Sequence, residues 1–325
     1  MALKHELDGK LVVLIGGSGF FGSYVAQQLL SCGARLRVAS RHPEAAFKLK
    51  PLANLGQIQF ARCDVTKPES ISAIMHGADA AIYMVGAFSG DLAALHKTGP
   101  AIAAGAARNA GADAFVHISA LGADAASEVY YAQTKAEGED AVRAAFPKAT
   151  ILRPSVLFGE DDDFINMFAR MIAGFPAMPV FGPEARLQPL WVDDAARAAV
   201  NALADPERHG GKTYEIAGPE ALTMAQINRA IAQAQGRDRL FIELPDAVSS
   251  AFATLTGWLP GAPLTQDQWR LLKGGNVPSG DRPGIKALGV SPSPLGLFLD
   301  RWMVRYRKHG RFGVKASGGA ALTGD

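Results

Sequence analysis

The sequence predicts an α/β fold built on a doubly wound parallel sheet, and three observations carry that expectation. Short β-branched runs alternate with longer Ala-rich stretches through the first half of the chain, the rhythm of parallel strands joined by crossover helices. A glycine-rich turn follows the first of these runs and opens a helix-compatible stretch. The strand-like runs are apolar at successive positions, as strands buried between two helical layers must be.

The first expected strand is Leu11–Ile15, followed by Arg35–Ala39, Ile58–Arg62 and Ala80–Val85, each closed by Gly, Pro or polar residues. Ala114–Ser119 and Ala149–Arg153 extend the series. After Pro154 the rhythm loosens: 159–190 carries Pro176, Pro179, Pro183 and Pro189 and reads as an excursion rather than another βα unit. Trp191–Ala204 reads as a helix after its first three residues, and Lys212–Ala217 as a strand ended by the Gly218-Pro219 turn. From about Leu222 the pattern is helical, with interruptions at Pro245, Pro260 and Pro263, and no internal repeat is visible. Phe252, Leu255, Trp258 and Leu259 are spaced for one helix face, a pattern more often core than contact.

Composition narrows the functional classes. With 325 residues, 48% hydrophobic and 20% charged, the chain is long enough for two domains and excludes wholesale disorder or a coiled-coil rod. A formal charge of +2 is too near balance for a nucleic-acid binder steered by its own field. Cys32 and Cys63 are too few for a disulfide framework or a Cys-rich zinc site, which suits a reducing compartment. The opening residues lack the apolar run of an export signal, and the longest apolar stretches, Leu11–Ile15 and Ala78–Gly86, fall short of the ~20 residues that span a bilayer. The histidines (His5, His42, His76, His96, His117, His209 and His309) are dispersed, and Glu160–Asp163 reads as a helix start, so no metal centre is expected.

The turn Gly16-Gly17-Ser18-Gly19-Phe20-Phe21-Gly22 holds Gly-x-Gly-x-x-Gly in the strand-to-helix context that gives the motif its meaning. Its glycines permit the tight turn and let backbone amides approach a pyrophosphate at a helix N-terminus. At the end of the second strand, where an acid would mark NAD(H), the chain reads Ser40-Arg41. A guanidinium there matches a 2′-phosphate, so NADP(H) is expected, with NAD(H) the alternative. Asp64, closing the third strand, either accepts from an adenine amino group or caps locally with Thr66. The fold class is therefore a Rossmann-type sheet with a smaller, mainly helical C-terminal domain. Residues 1–220 form the NADP(H)-binding domain, 221–312 the smaller region and 313–325 a flexible tail.

Tyr131 and Lys135 stand at i and i+4 on one helix face, after Ser119 at the end of the fifth strand. A fixed positive charge beside a phenol is what brings a tyrosine toward acid or base work near a nicotinamide.

These residues, with Arg153-Pro154-Ser155-Val156-Leu157-Phe158-Gly159, Trp191–Ala196 and Tyr214–Pro219, resemble the extended short-chain dehydrogenase/reductase family over most of the chain. There is one departure: by resemblance a catalytic hydroxyl belongs two positions beyond Ser119, where Leu121 stands. Either Ser119 substitutes or it is a strand-end hydroxyl satisfying backbone. Candidate catalytic residues are thus Tyr131, Lys135 and Ser119. Candidate cofactor-binding residues are Gly16 to Gly22, Ser40, Arg41, Asp64, Tyr131, Lys135 and Pro154. His117–Asp124, Tyr131–Glu139, Leu264–Lys273, Asn276-Val277, Leu288–Pro292 and Tyr306–Phe312 are similar to the nucleotide-binding accessory subunit of respiratory complex I and its bacterial relatives. That resemblance implies a tightly held, largely structural NADP(H) and complex I subunits as partners. It also implies a peripheral place on the cytoplasmic side of a bacterial inner membrane, or the matrix side in a mitochondrion. The intact Tyr131/Lys135 pair keeps an NADP-dependent reductase, epimerase or dehydratase as the alternative.

Arg301, Arg305, Arg307, Lys308, Arg311 and Lys315 lie beside Leu295, Leu297, Phe298, Leu299, Trp302, Met303 and Tyr306. The 295–315 stretch reads as an element for an anionic lipid surface or a membrane-complex dock, or as a terminal helix with a solvated basic face.

Overall fold

A computed structural model describes residues 6–256, 265–308 and 310. The tail at 313–325, His5, His309, Trp258, Leu259, Leu264, Arg311, Phe312, Lys315 and the side chain of Phe252 lie outside the described residues. The chain forms two compact units. The first comprises Met1–Leu157, Gln188–Pro219 and Asn276–Ser293, and the second Phe158–Leu187, Glu220–Gly275 and Pro294–Asp325.

The first unit is organised by a seven-stranded parallel sheet: β1 (Leu11–Ile15), β2 (Arg35–Ser40), β3 (Ile58–Arg62), β4 (Ala80–Tyr83), β5 (Ala114–Ile118), β6 (Thr150–Pro154) and β7 (Thr213–Ile216). Their spatial order is β7-β6-β5-β4-β1-β2-β3. Val12 pairs with Leu36 on one side and Ala80 on the other, so β1 is central. All five of its residues are buried because helices cover both faces. Val12, Leu14, Leu36 and Val38 face one layer, with Val25 and Leu29 of α1 (Phe20–Ser31). Val13 and Ile15 face the other, with Ile71 and Met75 of α2 (Pro68–Met75) and Ala103 and Ala107 of α3 (Gly99–Asn109). A single run of apolar residues thus serves two cores by strand alternation. β3, at the edge, is partly exposed.

Strand order reverses between β1 and β4, which opens a crevice beyond their carboxyl ends. The helices α4 (Tyr130–Ala145) and α5 (Val192–Ala204) complete the elements that position the site.

In the second unit Ala177–Phe181 and Leu240–Leu244 form a parallel pair, Leu240 opposite Ala177. This departs from the helical pattern expected after Leu222. Pro179 argues against a strand locally, and only the paired partner stabilises it. Thr223 and Thr265 cap Met224–Ala234 and Gln266–Lys273 with Gln226 and Gln268 in reciprocal boxes. Asp162, in the acidic run read as a helix start, accepts from Ile165 N–H at 2.6 Å in the first turn of Phe164–Gly174, whose N-cap is Asp163. Leu255, spaced as core, is 72% exposed. No helix among the described residues is long and apolar enough to cross a membrane.

Candidate functional site

β1 ends at Ile15 and the chain turns at once. Gly16 has φ +84°, in the left-handed region that strains an L side chain, and its N–H donates to Ala39 O at 2.9 Å. A Cβ on Gly22 would sit 2.6 Å from Gly17 Cα and 2.8 Å from Gly16 O, so α1 presses directly on the turn. Gly19 caps α1 without a side-chain hydrogen bond, and no acid lies in its first turn. The opening amides and the positive end of the helix are therefore left for an anion.

At the end of β2, Ser40 pairs in register with Arg62 of β3, and Ser40 Oγ is buried with no hydrogen-bond partner among the described residues. Arg41 follows, exposed. Asp64 Oδ1 accepts from Thr66 N–H at 3.1 Å and Thr66 Oγ1 at 2.8 Å, which holds its carboxyl below the usual range. Its Oδ1 is thus engaged in its own turn.

The segment after β4 joins these residues to α4. A Cβ on Gly16 would lie 3.1 Å from Val85 Cγ2, and one on Gly86 3.6 Å from Lys135 Nζ. Lys135 is buried and donates to Ile118 O at 3.3 Å. Burial pushes its ammonium down to about 8, against the opposing pull of Glu139. Its Nζ lies 5.8 Å from the Tyr131 ring centroid. Burial pushes the Tyr131 phenol up to about 12, so at neutral pH it is a neutral hydrogen-bond donor.

Ser119 Oγ donates to Glu139 Oε1 at 2.6 Å, and Glu139 receives Arg153 Nε at 2.7 Å and NH2 at 2.9 Å. The hydroxyl's single proton is therefore spent inside a buried ionic cluster. Leu121 is buried, its N–H donating to Pro154 O at 3.0 Å. The structure thus brings Tyr131, Lys135, Ser119 and Pro154 around the ends of β5 and β6, and Gly16 to Gly22 with Ser40 around those of β1 and β2.

Four contributors escaped the sequence reading: Glu139 and Arg153, Phe88, which stacks on Tyr131 at 4.6 Å, and His96, whose ring meets Tyr131 edge-on at 5.2 Å. The i, i+4 step from Lys135 to Glu139 was the signal available for the first. The others carry no local signal.

A glycine cradle that a Cβ would fill, uncapped helix amides and an orphaned Ser40 hydroxyl fit a nicotinamide dinucleotide. Together with the sheet they define an NAD(P)H-binding protein of the extended short-chain dehydrogenase/reductase class. A family model described as NAD(P)H-binding matches residues 16–170, and one described as the RmlD substrate binding domain matches 124–261.

The chain belongs to the family of NADH dehydrogenase [ubiquinone] 1 alpha subcomplex subunit 9. It is 30% identical to the mitochondrial protein of that name from Mus musculus over 314 residues, 94% of this chain and 83% of the relative. A ceramide reductase of Caulobacter vibrioides is 29% identical over 253 residues, 76% of this chain and 78% of the relative. Among solved structures, the Citrobacter sp. triphenylmethane reductase complexed with NADP(H) superposes with TM-score 0.72 at 19% identity, covering 90% of this chain and 99% of that one, and so shares the fold.

Proposed function

We propose that this chain is an NADP(H)-binding accessory or assembly subunit of NADH:ubiquinone oxidoreductase, in which the nucleotide is mainly structural. The observation that carries the reading is the Ser119–Glu139 bond at 2.6 Å beside Leu121. With leucine at 121 and the Ser119 proton committed, Tyr131 has neither neighbouring hydroxyl available to orient a substrate. The Tyr131 hydroxyl and Lys135 ammonium then grip the nicotinamide ribose. Within the 16–22 turn the amides of Ser18, Phe20, Phe21 and Gly22 hold the diphosphate, those of Gly16, Gly17 and Gly19 being engaged in the turn itself. Arg41 with Ser40 holds a 2′-phosphate, favouring NADP(H) over NAD(H). When bound, the dinucleotide supplies hydride-transfer capacity.

The naming of curated relatives as complex I subunits supports the partner. A peripheral position, with the exposed Arg301, Arg305 and Lys308 toward an anionic lipid surface, extends the same reading. Trp302 and Met303 are buried within the second unit, while Leu297 of the same helix is exposed.

A second reading, turnover of a small substrate, is favoured by the Lys135–Tyr131 proximity and by the ceramide reductase relative. Gentle purification from native membranes, with mass spectrometry of companions, nucleotide extraction and comparison of Tyr131→Phe, separates them. Co-purified complex I subunits, and NADP(H) retained by the variant without metabolic change, are expected. An NADP(H)-consuming activity lost in Tyr131→Phe would overturn the structural reading.

A further inference from the structure

His96 is fully buried in the π-helical turn Ala94–Thr98 that leads into α3. Its imidazole is completely used in one tautomer. Nε2 accepts the Ala87 N–H at 3.2 Å, and Nδ1–H donates to Thr134 Oγ1 at 3.0 Å. That hydroxyl in turn donates to the Tyr131 carbonyl at 3.0 Å. A second proton on the ring would confront the Ala87 N–H. Burial, aided by the Lys135 ammonium, pushes His96 down to about 3 and keeps it neutral.

The partners of this ring surround Tyr131. One residue beyond Ala87, Phe88 lies nearly flat on the Tyr131 ring, 21° between planes, while remaining 61% exposed. Its loop, 84–91, has no regular secondary structure. An exposed aromatic on such a loop keeps one orientation only if something fastens the loop, and the Ala87–His96–Thr134 chain does so. The turn that carries His96 is packed directly on α4, because a Cβ on Gly138 would collide with the His96 carbonyl oxygen: the two backbones already touch.

We propose that His96 is a positioning residue: by fastening Ala87 to Thr134 it holds Phe88 against Tyr131 and closes the loop 84–91 over the nicotinamide end of the cleft. This rests on reading Tyr131 and Lys135 as the grip on a dinucleotide. The consequence is slow release, because the nucleotide leaves only when the loop lifts.

The test uses the full chain with His96→Leu, Thr134→Val and, as the conservative variant, Thr134→Ser. Hydrogen exchange of the 84–91 peptide reads the fastening, and a chase of bound NADPH fluorescence reads release. His96→Leu and Thr134→Val are expected to expose the loop amides and speed NADPH dissociation about tenfold, the order of one buried hydrogen bond. Thr134→Ser should match the original chain in both.

Variants that melt earlier yet leave loop exchange and dissociation unchanged would overturn the proposal. If His96→Leu does not fold, Thr134→Val carries the same comparison. Should the unaltered chain take up no NADPH, the nucleotide reading fails. The exchange arm still decides whether His96 fastens the loop, and unchanged exchange there overturns the fastening as well.

Discussion

Arg153 grips Glu139 as a two-pronged fork, its Nε and NH2 donating to the two carboxylate oxygens at 2.7 and 2.9 Å, across the gap between β6 and α4. Glu139 is 1% exposed. Removing Glu139 takes from the part-buried Arg153 its two-pronged partner and leaves only the looser pairing with Glu215 at 3.7 Å. Glu139→Ala is expected to lower unfolding stability by about 3–5 kcal/mol. Asp113→Ala, which breaks the exposed 3.3 Å pair with Lys10, should cost less than about 1 kcal/mol. Urea denaturation of both variants measures the contrast, and equal losses would contradict it.

Arg41→Asp should weaken NADPH binding about 10- to 100-fold while changing NADH little, because a charge-assisted hydrogen bond reaches only the 2′-phosphate. Fluorescence titration with each cofactor measures it. Equal weakening of both would remove Arg41 from the 2′-phosphate site.

Gly22→Ala places a methyl 2.6 Å from Gly17 Cα and should push α1 away from the turn. Dinucleotide affinity should fall at least about tenfold, with stability lowered by about 1–3 kcal/mol from overpacking. Calorimetric titration alongside thermal melting separates the two. Gly105→Ala is the control, since a Cβ there meets nothing within 4 Å.

Lys135 makes stability depend on alkaline pH with a definite sign. Its ammonium is pushed down to about 8 in the fold, against 10.5 as the ordinary value, so between those values the unfolded chain binds more protons. Stability contributed by this site therefore rises from pH 8 to 10.5, and below 8 the cost of burying the charge is fully present. In nucleotide-free protein, Lys135→Met should be the more stable at pH 7, with the gap closing by pH 10.5. Urea midpoints across that range test it, and a gap that widens with pH would refute the assignment.

Arg301→Glu with Lys308→Glu should reduce sedimentation with vesicles containing phosphatidylserine at low salt by at least about fivefold for each charge. Unchanged sedimentation, or none before substitution, would remove the lipid surface. Truncation is a poorer experiment, because Trp302 and Met303 belong to the second unit's interior.

What the sequence determined by itself is whatever a short stretch of chain expresses. The central strands of the large sheet could be read because they bury apolar residues on both sides and end in a turn, and the edge strand β3 because it keeps the same rhythm. The 16–22 turn could be read because only glycine permits Gly16's φ of +84° and the contact between Gly22 and Gly17. Tyr131 and Lys135 shared a face because one helical period separates them.

Tertiary structure alone decided the rest, since those relationships join residues far apart along the chain. Ser119 gave no sign that its proton goes to Glu139, nor His96 that it bridges Ala87 to Thr134. Leu240–Leu244 became a strand only through its pairing with Ala177–Phe181. The physical reason is common to all three: a buried polar group or an unpaired strand is costly until it finds its partner, and only the folded chain supplies one.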